Sequence, residues 1–269
     1  MSNLAKRVLT AVVLVAVLGI TLFIFPAPAA KILFAVMFLI AAWEWSGFFA
    51  GSQLMRRVGF IVLIVVLVAV PDFYGHVDSI VRPVLYIGVM YWGIVLLALF
   101  FGIRPFATWA TALAGIFALV PAWYAIAFMV SRENGPQLIL WFLVIISAAD
   151  IGAYFIGHFF GRIKLAPDIS PGKTLEGLLG GLFAASLIAA FVAGLIGHSP
   201  YLYAVMGLAV GAMSVVGDLW VSRFKRAVGL KDTGKILPGH GGIMDRIDGL
   251  VAAFPLFTLI VLRTSVVPL

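Results

Sequence analysis

The sequence predicts an all-α polytopic integral membrane protein of about nine transmembrane helices, and three observations predict it. The 269 residues are 64% hydrophobic and 11% charged, with a mean hydropathy of +1.17, more apolar surface than a soluble chain of this length needs. Nine segments supply the roughly 20 apolar residues that a bilayer core demands. None alternates as a transmembrane barrel strand does, so the spans are helices. Cysteine is absent, which excludes disulfides, thiolate metal sites and a cysteine nucleophile. The net charge of +7 fits basic loops and an anionic substrate rather than nucleic acid.

In chain order the spans fall at about 7–25, 31–50, 57–74, 82–101, 107–130, 137–160, 175–196, 201–222 and 246–265. The first follows Lys6 and Arg7. It is long for a signal h-region, so it is read as a retained span although Ala27-Pro28-Ala29 resembles a signal-peptidase site. Glu44, between Trp43 and Trp45 in span 2, is the one charge deep within spans 1–5. Placing the N-terminus in the cytoplasm puts 14 Lys and Arg, Arg104 among them, on inner segments and 4 on the other side. The C-terminus then lies outside.

The acids sharpen this picture. A carboxylate at the bilayer centre costs about 2.5–3.5 kcal/mol on insertion scales, so each needs a reason. Eight of the eleven share one depth on the basic side: Glu44, Asp150, Asp168, Glu176, Asp218, Asp232, Asp245 and Asp248. That is the profile of a cytoplasm-facing polar cavity. Residues 1–134 read as a membrane scaffold, and 135–269 as a catalytic membrane domain.

The densest chemistry is SRFKRAVGLKDTGKILPGHGGIMDRIDGL, Ser222 to Leu250. A positive-inside anchor accounts for cations such as Arg223. It does not account for Gly239-His240-Gly241-Gly242, nor for both Asp245 and Asp248. Glycine-rich backbone can aim several N–H groups at an anion, and a helix starting near Asp245 adds its positive end. Asp245 and Asp248, three apart, share a face of that helix. Two carboxylates beside a phosphate site suit Mg²⁺, which binds through one or two carboxylates plus substrate phosphates. Capping explains Asp245 but not Asp248, a turn deeper. Asp218, near the end of span 8, can reach the same cavity mouth, or it partners Arg223 or Lys225.

SPGKTLEG, Ser170 to Gly177, ends like a P-loop at Gly172-Lys173-Thr174 but is not one. The first P-loop glycine would fall at Pro167, and no strand is expected before it. Lys173 can still contact a phosphate. Thr174 with Glu176 reads as a cap for span 7, and Glu176 equally as a site residue. Asp150 and Tyr154 share one face of span 6 with Ser147 a turn earlier, and Asp150 is deep enough to be functional. His158 reads as interfacial, and Glu44 as a site residue or the partner of a loop cation. Gly177/Gly181 and Gly207/Gly211 read as close helix-packing pairs. Anion binding, a hard divalent cation and a cavity in the membrane point to phosphate chemistry on a lipid.

The long loop narrows the reaction. Ser222, Lys225, Arg226, Lys231, Asp232, Pro238, His240, Gly241, Gly242, Asp245, Arg246 and Asp248 match a signature at the right spacing. It runs S-x-x-K-R-x₄-K-D and then P-G-H-G-G-x-x-D-R-x-D, and in it the sequence resembles the phosphatidate cytidylyltransferases, or CDP-diacylglycerol synthases. Asp150 to Gly157 is similar to that family's D-x-x-A-Y-x-x-G. Ser170 to Gly177 is similar to S-P-K-K-T-x-E-G, departing at Gly172, where a second lysine is common. The resemblance is sharpest from about 147 to 250.

The resemblance implies transfer of CMP from CTP to phosphatidic acid, giving CDP-diacylglycerol and pyrophosphate in phospholipid biosynthesis. It implies Mg²⁺, a second, monovalent cation such as K⁺, nine spans, a homodimer, and an active site on the cytoplasmic face of a bacterial inner membrane. Asp218, Asp245 and Asp248 would hold Mg²⁺. Lys173, Lys225, Arg226 and Arg246 would hold triphosphate or lipid phosphate, and His240 would position a phosphate or donate a proton. Ser170, Thr174, Glu176, Asp150, Tyr154, Ser222, Lys231, Asp232, Gly241 and Gly242 would complete the substrate site.

Three other readings compete. A CDP-alcohol phosphotransferase would carry D-G-x-x-A-R, but Asp248-Gly249-Leu250-Val251-Ala252-Ala253 lacks the arginine. A CTP-dependent lipid kinase would pass on the γ-phosphoryl group and release CDP. A transporter of anionic metabolites would show paired broken helices in two halves, whereas this chain has one apolar and one polar half.

Overall fold

The computed structural model describes residues 3–73, 77–103, 107–237 and 241–264. The helices are α1 (Asn3–Phe23), α2 (Ala27–Ala50), α3 (Leu54–Phe73), α4 (Val77–Phe100), α5 (Thr108–Val130), α6 (Gly135–Phe160), α7 (Leu175–Leu195), α8 (Pro200–Ala227) and α9 (Met244–Thr264). Apolar runs form helices here because a helix satisfies its own backbone where water is scarce. Prolines open α2, α6 and α8, where the missing N–H costs nothing. Among the described residues six helices, α2 and α4 to α8, are long and apolar enough to cross a membrane. The chain is thus an all-α polytopic membrane protein. Helix α9 stands outside those six and carries Asp245, Arg246 and Asp248 in its first turns.

One element was not expected. Between α6 and α7 the chain forms an antiparallel hairpin of β1 (Lys164–Ala166) and β2 (Ser170–Thr174), with Lys164 opposite Thr174 and Ala166 opposite Ser170. A strand therefore does precede Gly172-Lys173-Thr174. It still makes no P-loop, because Lys173 lies within β2 rather than in a loop between strand and helix. The physical reason is local: a short connection between antiparallel helices satisfies its backbone by pairing with itself. The turn is closed by Ile169 N–H donating to Ala166 at 3.1 Å, and the hairpin base by Leu175 N–H donating to Ile163 at 2.8 Å.

Helix α7 packs between α6 and α8, and small residues set the spacing. A Cβ at Gly181 would come within 2.6 Å of the Ala149 carbonyl, and one at Gly207 within 2.5 Å of the Ala185 carbonyl. The expected glycine pairs are contact points between these three helices. Helix α9 packs on α8, α4 and α5. Buried Trp45 ties α2 to α5 and α8: its Nε1 donates to the Thr111 carbonyl at 2.9 Å, and its ring meets Phe224 at 4.9 Å. That anchor fixes the rotation of α2, and so the direction in which neighbouring Glu44 points.

Candidate active site

A cavity of about 440 Å³ opens between α6, α7, α8 and the hairpin. Asp150, Tyr154 and His158 line it from α6, spaced four apart and so on one helical face. Lys173 and Thr174 enter from β2 and Asp218 from α8, while Gly177, Gly181 and Gly211 leave room along the helix walls. Lys173 Nζ lies 2.5 Å from Asp218 Oδ2, and Ser222 Oγ donates to Asp218 Oδ1 at 3.1 Å. Thr174 caps α7, its Oγ1 accepting the Gly177 N–H at 3.1 Å.

Asp248 lies close behind this wall. Helices α8 and α9 meet at Gly217, where a Cβ would collide with the Asp248 carbonyl. The Asp248 carboxylate accepts the Gly249 N–H at 2.8 Å and feels the charges of Asp218, Lys225 and Lys173. Asp150 in turn feels Lys173, Asp218 and Arg246. Two mutually repelling carboxylates with hard oxygen donors fit a divalent cation whose remaining ligands are substrate phosphates. Mg²⁺ fits this pair.

Asp245 is engaged differently. Its Oδ1 meets Lys225 Nζ at 2.8 Å, and both side chains are nearly inaccessible, at 10% and 4%. Its Oδ2 accepts Thr233 N–H at 2.8 Å and Gly242 N–H at 3.0 Å, with Thr233 Oγ1 also at 3.0 Å. These contacts tie the start of α9 to the end of α8 and to the loop between them. Among the described residues no group of three or more histidine or acidic side chains forms a metal cluster. Of the expected trio, Asp218 and Asp248 interact electrostatically, while Asp245 makes its polar contacts with Lys225, Thr233 and Gly242.

Glu44 has a role the sequence did not reveal. Its carboxylate accepts Ile243 N–H at 3.1 Å and Met244 N–H at 2.8 Å, at the start of α9. Thr233 Oγ1 sits 2.9 Å from Glu44 Oε2 as well as beside Asp245, so its single proton serves one acid at a time. Glu44 holds a helix N-terminus, not a loop cation.

Other expected residues fall around the cavity without lining it. Arg226 is spent on carbonyls, its Nε on Ile169 at 3.2 Å and its Nη1 on Leu230 at 3.3 Å, tying hairpin to loop. Glu176 turns outward, both oxygens accepting the Ile163 N–H at 3.2 Å, so it pins the hairpin rather than completing a capping box. Ser170 sits in the β ladder opposite Ala166. Lys231 and Asp232 are exposed, though Asp232 lies beside Gly241. Gly241, at φ +81°, needs the left-handed backbone that glycine provides, and Gly242 is pressed against Glu44. His240, Pro238 and Arg104 lie outside the described residues. His158, expected at the interface, lines the cavity and stacks on Tyr154, ring centres 5.9 Å apart. Its four-residue spacing from Tyr154 was the available signal. Lys164, also on the wall, carried none.

A bundle of apolar helices with Lys164, Lys173, Asp150 and Asp218 around one hollow defines a class: an all-α polytopic membrane protein with a charged cavity. Comparison with known proteins gives the family. The Cytidylyltransferase family matches residues 5–263, and the chain belongs to it. The chain is 35% identical over 265 residues to a phosphatidate cytidylyltransferase of Pseudomonas aeruginosa, covering 94% of this chain and 95% of that protein. It is 33% identical over 285 residues to one of Haemophilus influenzae, covering 95% and 97%. A Helicobacter pylori protein of the same name is 42% identical over 125 residues, 46% of this chain and 47% of that one.

Proposed function

We propose that the chain is a phosphatidate cytidylyltransferase, transferring CMP from CTP to phosphatidic acid. The observation that carries the reading is the Lys173–Asp218 pair on the cavity wall with Asp248 close behind it. A lipid phosphate oxygen attacks the α-phosphorus of CTP. The new P–O bond forms as the bond to the bridging α–β oxygen breaks, and pyrophosphate leaves. The nucleophile is already an anion, so no strong base is needed. The obstacle is repulsion between two anions and charge building on the leaving group.

Lys173 is the cation best placed to meet a triphosphate, since it projects from β2 onto the cavity wall. Thr174 contributes the N-terminus of α7, whose partial positive charge favours phosphate. Asp218 and Asp248 would hold Mg²⁺, which supplies charge neutralisation on the phosphates when bound. Lys225 and Arg226 act one step away, by fixing Asp245 and the hairpin. A monovalent cation, a homodimer and an active site on the cytoplasmic face of a bacterial inner membrane complete the proposal.

The test is purified protein with phosphatidic acid, Mg²⁺ and CTP labelled separately at the α- and γ-phosphorus. α-Label entering the lipid with γ-label leaving as pyrophosphate supports the reading. γ-Label in the lipid makes the protein a kinase. No transfer of either label, with CTP still bound, returns attention to transport.

A further inference from the structure

The bundle holds a second hollow. An apolar cleft of about 260 Å³ lies among α1, α2, α5, α6 and α9, walled by side chains such as Leu18, Phe34, Met37, Phe142 and Phe254. Among the described lining residues one is charged: Arg246. Arg246 also acts electrostatically on Asp150, which lines the polar cavity. One guanidinium thus borders the greasy hollow and lies in range of the polar one.

The cleft has a measurable depth. Glu44 binds the N–H groups of Ile243 and Met244, so α2 and α9 are level at that point. From there the lining runs to Phe254 on α9 and to Phe34 on α2. Each is ten residues away, or about 15 Å at 1.5 Å per residue. That is half of a hydrocarbon core of about 30 Å, the thickness of one leaflet and the reach of one acyl chain. The polar cavity carries Asp150, Lys173 and Asp218 on its wall, whereas the described lining of this cleft is apolar apart from Arg246.

We propose that this cleft takes one acyl chain of the lipid substrate, with Arg246 gripping the phosphate at the boundary between the two hollows. The identity of the lipid rests on the cytidylyltransferase reading. The occupant follows from charge complementarity. An arginine that is the one charged residue among the described lining of an apolar slot suits an acyl chain joined to an anionic head, and its planar fork suits a phosphate. The headgroup then emerges beside Asp150, facing the CTP cavity, while the tail stays in apolar surroundings.

Two experiments test this on the full chain. Leu18→Trp and Leu143→Trp put bulk into the slot from different helices. Each should lower the ratio of kcat/KM for dioleoyl over dihexanoyl phosphatidic acid about tenfold, the worth of a couple of methylenes expelled from apolar contact. An unchanged ratio in both variants overturns the proposal. Independently of folding in the variants, the unmodified protein is labelled with phosphatidic acid carrying a diazirine midway along one chain, without CTP. Adducts on residues 14–18, 33–38 and 250–254, suppressed by unlabelled phosphatidic acid and weakened in Arg246→Ala, support it. Adducts confined to outward residues such as Phe183 and Leu187 overturn it. Normal CTP-dependent turnover with no label in the slot sinks the acyl site alone. Labelled slot residues in a protein that transfers nothing from CTP sink the enzymatic reading and leave the lipid site standing.

Discussion

Glu44 and Met244 stand 200 positions apart in sequence and are joined by a 2.8 Å hydrogen bond from the Met244 N–H to Glu44 Oε2. With Ile243 N–H on the other oxygen, the carboxylate occupies the positive end of α9. Gly234 and Gly242 flank it so closely that a Cβ on either would strike it.

Removing that carboxylate should loosen the first turn of α9, which carries Asp245. Glu44→Ala strips the acceptor from two buried N–H groups, a loss of about 3 kcal/mol at the usual worth of charge-assisted bonds. The expected outcome is a clearly lower melting temperature in detergent, with turnover falling alongside. Glu44→Gln, which keeps an acceptor oxygen, should lose less. A Glu44→Ala protein that melts like wild type would remove α2 from the loop's support.

The Lys225–Asp245 pair predicts a different pattern. Both members are buried, so truncating one strands the other, at a cost of about 3–5 kcal/mol. Lys225→Met should be strongly destabilised. Adding Asp245→Leu to it should cost less than that change costs alone, with a coupling of about 1 kcal/mol or more in thermal or denaturant unfolding. Strictly additive effects would mean that the two charges do not depend on each other.

Asp248 and Asp245 separate chemistry from scaffolding. Asp248→Asn should cut CTP-dependent turnover roughly 100-fold or more, the scale seen when a charge-stabilising group is removed, and the protein should still insert. Asp218→Asn should behave alike, and both should raise the Mg²⁺ concentration needed for half-maximal rate. Asp245→Asn should instead lower thermal stability first. Near-normal turnover in Asp248→Asn would refute its metal role.

Lys173 should act on substrate affinity. Lys173→Met deletes one cation from the cavity wall, and the KM for CTP should rise about tenfold, the equivalent of one hydrogen bond to a charged group. A KM unchanged in steady-state kinetics would assign Lys173 to neutralising Asp218 alone.

Much of the architecture was legible in the sequence because apolar runs between glycines, prolines and charges mark helices sharply. The fifth segment was expected at 107–130 and is Thr108–Val130; the seventh was expected at 175–196 and is Leu175–Leu195. Helix α8 ran past its expected end at 222 to Ala227, because hydropathy ends at the membrane while the helix continues through Lys225 and Arg226, favourable cations for a C-terminus. The hairpin was missed because three and five residues are too few to show a period of two. Asp150, Tyr154, Lys173, Thr174 and Asp218, read from helix faces, depth in the membrane and the family resemblance, lie around one cavity. What local spacing cannot convey is who answers whom over long distances. Glu44 gave no hint of Met244, and Asp245 gave none of its contacts with Lys225 and Thr233, 20 and 12 residues away.

The bond between α2 and α9 also orders events in time. During synthesis Glu44 is made long before Met244, so α2 is in place while its partner strand of backbone is still unwritten. Until α9 arrives, that carboxylate lacks the Ile243 and Met244 amides. The Glu44 contact with the start of α9 therefore forms only after the cavity wall of α6, α7 and α8 has been made. A polypeptide halted before residue 243 would hold the cavity wall of α6, α7, α8 and the hairpin, but would lack Asp248 and the α9 amides that meet Glu44.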